Sequence, residues 1–483
     1  MDTDSAPAHG LVGLAPGPGA GPASGSGTCP GPGAALGPVP CPGSGSGSVP
    51  GAAPYLAPDL DLLSPEVFAG QRHLGQLAAL RARPGLARHP EPDGPGFLVA
   101  TRYDDVLAVL GDPATFSSRV GIRLGGSHEA ADRVADRLMV VSDPPRHGRI
   151  RRVVGAPFTP AALRRRQDRI VDGVTDLVDE VVGAATSGDW GGDRGGSGSG
   201  DGNGDGIEDG SPGDRPPGLP GPVVLDAVGD LARRLPNQVI CAMMDLPRAD
   251  WPLIGRLTTD GLDSPDPIDR LDANAEIFGY FADLLDERRA RPGDDLISAL
   301  LTAGGDLTDE ELIVNCGGVL TGASETVRYA AAGALLVFAE QPELWARLRA
   351  TPELLPTTVE EILRWTTPGL HALRTVTRPV TVAGTALLPG DRVTAWLCSA
   401  NRDPAVFADP NTFRLDRTPN RHLAFGWGPH VCVGSRVARL ELSALLTALT
   451  RRVRTVALAG PPVWGTGNFI HGLTSLPVRL SPA

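Results

Sequence analysis

Phe425-Gly-Trp-Gly-Pro-His-Val-Cys-Val-Gly434 is the most informative stretch of the chain, and it leads straight into a segment of helical spacing. Gly426, Gly428 and Gly434 permit tight turns and let backbone approach a flat ligand closely. Cys432 falls just before the helix start, where free N–H groups and the positive dipole end favour a thiolate. Such a thiolate is a strong donor to iron, and that donation favours O–O bond cleavage. A lone cysteine is more often a small buried hydrophobe. Here the order F-G-x-G-x-H-x-C-x-G argues for a metal ligand instead.

Outward from that loop, the bulk composition sets limits. The other cysteines (Cys29, Cys41, Cys241, Cys316 and Cys398) have no C-x-x-C spacing, which argues against a zinc site and a disulfide framework. Hydrophobic residues make up 41% and charged residues 21% of the 483, enough for a sizeable core. Gly (62) and Pro (47) are over-used, which points to low-complexity segments attached to that core. No apolar run reaches the roughly 18 residues of a membrane span, and no basic-then-apolar leader opens the chain. A soluble, cytoplasmic protein is the expectation. The formal charge of −12 disfavours nucleic acid or an anionic membrane as partner.

Two tracts stand apart. Residues 1–54 are Gly/Pro/Ala/Ser repeats, too poor in apolar surface to offset chain entropy, and disorder is expected there. Residues 186–222 form a Gly/Asp-rich insertion between two helical patterns, 162–184 and 225–246. Inside it, Asp201, Asn203, Asp205 and Gly206 imitate the opening of a calcium loop. Pro212 stands where the bidentate Glu belongs, so a solvated loop is the better reading. One domain over 55–483 is expected, broken by that insertion. Helices dominate: 309–340, opened by a capping-box-like Thr308–Glu311, then 356–366 and 435–452. Short strands are expected at 96–101, 374–382 and 391–399, with 380–393 reading as a hairpin. Nothing in the pattern supports a parallel sheet.

The 425–434 pattern resembles the haem-binding loop of cytochromes P450, and the resemblance extends from about residue 55 onward. Val437-Ala-Arg-Leu-Glu441 looks like the helix that follows that loop in bacterial members. The composition is similar to that of actinobacterial ones. What the resemblance implies is a mainly α cytochrome P450 fold, a helical prism with a small β-sheet region. It also implies one haem b whose iron takes Cys432 as axial ligand, within a cofactor loop that includes Phe425 and Gly426.

Further residues take on roles by the same resemblance. Glu361 and Arg364, three apart on one helix face, match a buried structural network completed by Arg417. Gly322-Ala-Ser-Glu-Thr-Val327 resembles the acid–alcohol segment: Thr326 would donate a hydrogen bond to dioxygen, and Glu325 would relay protons from solvent. The small residues there make local widening of the helix an expectation. His147 and Arg151, four apart on a helix after Pro145, would join Arg374 and His430 in holding the two haem propionates. Arg149, Arg152, Arg436 and Arg439 would make the Cys-side face basic enough to steer an acidic ferredoxin or flavodoxin.

The implied reaction activates dioxygen with two electrons from NAD(P)H, through a reductase and a ferredoxin or flavodoxin separate from this chain. The alternatives are a peroxide-driven haem peroxygenase and a haem-containing recruitment protein. The intact Glu325–Thr326 pair argues against both. Segments 116–138, 251–278 and 315–322 should line a mostly apolar distal pocket. That pocket suits a small apolar molecule, free or carrier-protein-bound, in specialised metabolism. The 468–478 ending looks like the family's C-terminal hairpin. A monomer is expected. Substrate identity, regiochemistry, and hydroxylation against epoxidation or coupling are not written in these motifs.

Overall fold

The helix Asp309–Glu340 runs through the middle of the molecule because its sequence leaves it no polar face in its second half. Every residue from Val327 to Phe338 is buried, and a helix apolar all round belongs inside. Its start is fixed locally. Thr308 Oγ1 accepts from Glu311 N and the Glu311 carboxylate accepts from Thr308 N, a reciprocal cap. The computed structural model describes residues 61–483 except 93, 127, 188–221 and 264–266. The expected disorder of 1–54, the calcium-like residues and nearly all of the 186–222 insertion lie outside the described residues.

Around the central helix pack Arg234–Met243, Pro267–Ala290, Leu355–Thr366 and Ser435–Arg452, with Pro160–Ser187 lying against the first and last of these. One apolar cluster joins them, with Phe281, Leu320, Phe338, Trp345 and Leu445 nearly or fully inaccessible. Each such side chain contributes about 1.5–3 kcal/mol relative to exposure. Among the described residues no helix is long and apolar enough to cross a membrane.

The β structure is small. A five-stranded sheet takes the order Ala87–His89, Phe97–Ala100, Arg392–Trp396, His371–Val376, Phe116–Ser117. Its second and third strands run parallel, with Val99 beside Thr394. Sequence periodicity had offered no parallel pairing, because these partners are nearly 300 positions apart. The 380–393 hairpin forms as Val380–Val382 against Thr385–Leu387. The expected 374–382 strand is instead two pieces, broken at 377–379. The expected 391–399 strand stops at Trp396, where a helical turn Leu397–Ala400 begins. The expected helix over 225–246 opens as strand Val223–Asp226, paired with Pro477–Pro482, and then a π-helical turn Ala227–Ala232. Tertiary pairing with the chain's end overrides local spacing there.

Glu361 is fully buried and receives both arginines. Arg364 Nε and Nη2 donate at 2.7 and 2.8 Å, and Arg417 Nε donates at 2.9 Å. The same guanidiniums carry outward to the carbonyls of Asn401, Pro410, Thr412 and Ala408. Removing one partner strands a buried charge. Arg417→Met is expected to cost about 3–5 kcal/mol, read as a lowered denaturant midpoint. A midpoint equal to the parent's would contradict this account of the network.

Candidate functional site

The 425–434 loop is a closed turn. Cys432 N donates to Phe425 O at 2.9 Å, Gly426 N to Leu423 O at 2.8 Å and Val431 N to Gly428 O at 3.1 Å. Gly428 has φ +71, and a Cβ there would lie 2.4 Å from Leu110 O, so only glycine fits. Gly426 is also left-handed at φ +72. Gly434 is not: its φ is −83, and a Cβ there would lie 3.9 Å from Cys432 Sγ. What glycine preserves at 434 is therefore space beside the sulfur. Cys432 begins the approach to helix Ser435–Arg452; solvent reaches its surface, but protein atoms crowd the thiol closely enough that it is poorly solvated.

The thiol itself differs from the sequence expectation. Burial pushes its pKa up, and the backbone N–H of Gly434, Arg151 and Arg439 only partly oppose this. Helix start and arginines are in place but do not win. A cation bonded directly to the sulfur would reverse that balance.

His147, Arg151, Arg374 and His430 converge beside this loop. The rings of His147 and His430 lie 4.0 Å apart. Burial first, then neighbouring arginines, hold His147 down to about 4 and His430 down to about 3. Burial lowers Arg374 to about 10. His147 Nε2 is buried with no hydrogen-bond partner. Packed nitrogen donors with depressed pKa values and an orphaned buried Nε2 suit an anion. This donor set fits the two carboxylates of a haem. Among the described residues no three or more His, Cys, Asp or Glu side chains form a metal-holding group, so a metal here would bring most of its own ligands.

Val319 of the central helix and Val433 of the loop pack on the same small cluster, Met139, Ile150 and Val154. Thr326 Oγ1 donates to Gly322 O at 3.0 Å. The central helix is α throughout, without the widening expected near Gly322: its backbone stays α there, and the Thr326 hydroxyl only adds a bond back to the carbonyl one turn earlier. Glu325 does not face solvent. It is 5% exposed and ion-paired with Arg328, which also donates to Tyr329 Oη at 2.6 Å. Leu138 and Phe278 approach Gly318 and Gly317 so closely that a Cβ at either would lie 2.9 Å from them. The segments 116–138, 251–278 and 315–322 thus meet on this helix. The C-terminal hairpin is tied to the start of the strand that carries Arg374: Leu370 N donates to Phe469 O at 2.8 Å. A surface cleft of 390 Å³ between Arg81, Arg102 and Asp403 shares no residue with this set.

Of the four docking arginines, Arg439 is otherwise engaged. It donates to both oxygens of Glu360 at 2.6 and 2.8 Å and stacks 4.6 Å over Phe425. Arg149, Arg152 and Arg436 are exposed. Trp427, half exposed, and Val431 lie on the same loop as Cys432. Sequence reading passed over Glu360 because it adjoins Glu361; one residue along a helix turns about 100°, so the two carboxylates serve different faces. It also gave Asp143 no role, although it opens the motif that carries His147.

The family model described as Cytochrome P450 matches residues 265–456. The putative cytochrome P450 126 of Mycobacterium tuberculosis is 34% identical over 411 residues, 80% of this chain and 88% of that protein. Cytochrome P450 NovI of Streptomyces niveus is 32% identical, covering 89% and 99%. The crystal structure of P450 OxyD, involved in the biosynthesis of vancomycin-type antibiotics, superposes with a TM-score of 0.74 at 33% identity, covering 88% and 100%.

Glu360 offers a pH test of the clamp behind the loop. Burial alone would raise its pKa, but hydrogen bonds from Arg439 and His422 take it from 4.5 down to about 2. A depressed carboxyl contributes stability that is present above 4.5 and lost as pH falls toward 2. Glu360→Gln is expected to flatten the fall in unfolding free energy over that window by about 2–3 kcal/mol. Parallel curves for parent and variant would contradict the clamp.

Proposed function

The chain belongs to the cytochrome P450 family, and we propose that Cys432 is the axial ligand of a haem b held at its propionates by His147, Arg151, Arg374 and His430. As a member of that family it is an oxygen-incorporating oxidoreductase. The observation that carries the assignment is the set of nitrogen side chains near Cys432: His147 and Arg374 buried, Arg151 and His430 half-buried, with His147 Nε2 orphaned. Haem b supplies the redox metal at which dioxygen is activated, one oxygen atom going to substrate and the other to water.

This chain's residues do the rest. Cys432 supplies the sulfur, with Gly434 leaving room beside it and Gly426 and Phe425 shaping the turn. Thr326 keeps its proton on Oγ1, where it donates a hydrogen bond to Gly322 O; turning the hydroxyl away from that carbonyl would make it a donor to dioxygen. Glu325, paired with Arg328, is a carboxylate; to relay a proton to Thr326 it must first leave Arg328 and take one up. Leu138, Val319 and the partly exposed Phe278 favour a mostly apolar substrate. The similarity to NovI and to OxyD supports a substrate from specialised metabolism, free or carrier-bound. Electrons arrive from NAD(P)H through a reductase and an acidic ferredoxin or flavodoxin docked over Arg149, Arg152 and Arg436.

With a ferredoxin chain, NADPH and a substrate found by its spin-state shift, turnover under ¹⁸O₂ is expected to place one labelled atom in the product. Equal turnover with hydrogen peroxide alone would favour a peroxygenase and sink the reading. Thr326→Ala is expected to cut product formation by on the order of 10²-fold while NADPH oxidation continues. Undiminished coupling would remove Thr326 from the relay. Arg149→Glu with Arg152→Glu should weaken electron transfer most at low salt. Rates unchanged at every ionic strength would move the docking surface elsewhere.

A further inference from the structure

Asp143 sits where three parts of the propionate pocket meet. Its carboxylate accepts from Ser117 Oγ, from Ser118 N at 2.9 Å and from Ser118 Oγ at 3.1 Å. Its backbone carbonyl accepts from His147 N at 2.9 Å, at the start of the helix that also carries Arg151. Ser117 ends the strand Phe116–Ser117, which pairs with Thr375 in the strand carrying Arg374. Ser118 is fully buried, and its Oγ lies 3.4 Å from His430 Nε2. One carboxylate therefore reaches toward all three elements that supply the nitrogen donors.

Its charge is felt as well as its hydrogen bonds. Asp143 opposes the depressed basicity of both His147 and Arg374. The pocket holds two guanidiniums, Arg151 and Arg374, against this one carboxylate. A pocket built only to capture a dianion has no use for a negative charge among its donors, so a second purpose is indicated.

We propose that Ser118 and Asp143 are positioning residues for the anionic edge of the haem, Ser118 fixing His430 and Asp143 tempering the positive field of Arg374 and so lowering the reduction potential of the iron. This rests on the four nitrogen donors holding the propionates. Reduction adds an electron, so a nearby negative charge disfavours it and removal of that charge favours it.

The test uses holo protein and reads the midpoint potential by spectroelectrochemical titration, with Arg374→Leu as reference. Asp143→Asn keeps an acceptor for Ser118 N but removes the charge, and its midpoint is expected to move positive. Arg374→Leu should move it negative. Ser118→Ala leaves charge unchanged; its midpoint should stay put, while haem transfer to excess apomyoglobin should quicken by about 3- to 10-fold, the span of one net hydrogen bond. An unmoved Asp143→Asn midpoint beside a displaced Arg374→Leu overturns the inference and leaves the propionate reading standing. An unmoved Arg374→Leu midpoint overturns both. If Asp143→Asn yields no holo protein, Ser118→Ala decides: haem release at the parent's rate overturns the proposal.

Discussion

A carboxylate with no solvent, Glu361, holds two guanidiniums that between them bind the carbonyls of an otherwise irregular backbone. That backbone, from Asn401 to Leu423, has almost no ladder or helix to satisfy its polar groups, and buried carbonyls without partners are costly. Arg364 and Arg417 supply what secondary structure does not. Asn401 extends the same device, its Oδ1 taking Leu423 N at 2.6 Å and its Nδ2 donating to Thr367 at 2.8 Å. Two residues further on the Cys loop begins, so the geometry of 425–434 is inherited from this charge cluster. Replacing the cluster by apolar packing could preserve stability, but it would leave those carbonyls unbound and the loop unanchored.

The site that the loop enters is energetically incomplete as protein alone. Burial raises the Cys432 thiol and depresses His147, His430 and Arg374. These shifts share a cause: each group is taken from water without sufficient partner charge. A ligand that places a cation on the sulfur and two carboxylates among the nitrogens would relieve all four. The complementarity of the two sites across one cleft gives the haem assignment more force than either alone.

Much of this was legible in the sequence. The bounds of Asp309–Glu340 and Ser435–Arg452 follow from local signals: the Thr308–Glu311 cap, unbroken apolar spacing, and glycine before Ser435. The positions of Cys432, Glu361 and Arg364 come from fixed short-range order. What escaped is long-range. Pairing of Val223–Asp226 with the chain's end turned an expected helix into strand and π turn. Arg439 looked like a surface cation until Glu360, 79 positions away, claimed it. Glu325 looked solvent-facing, yet the apolar environment of the central helix buried it against Arg328. Asp143 meets Ser117 and Ser118 only after folding. For the strand, Arg439 and Asp143 the decisive partner is distant in the chain, where no periodicity reaches; Glu325 meets Arg328 one helical turn away, and what escaped there is the burial of that helix face.

The central claim is a thiolate from Cys432 on haem iron, and the most direct measurement is the carbon monoxide difference spectrum of the dithionite-reduced protein beside Cys432→Ala. The account predicts a red-shifted Soret band in the parent that is lost in the variant. A parent band typical of histidine-ligated haem, or a red-shifted band that survives Cys432→Ala, would contradict it.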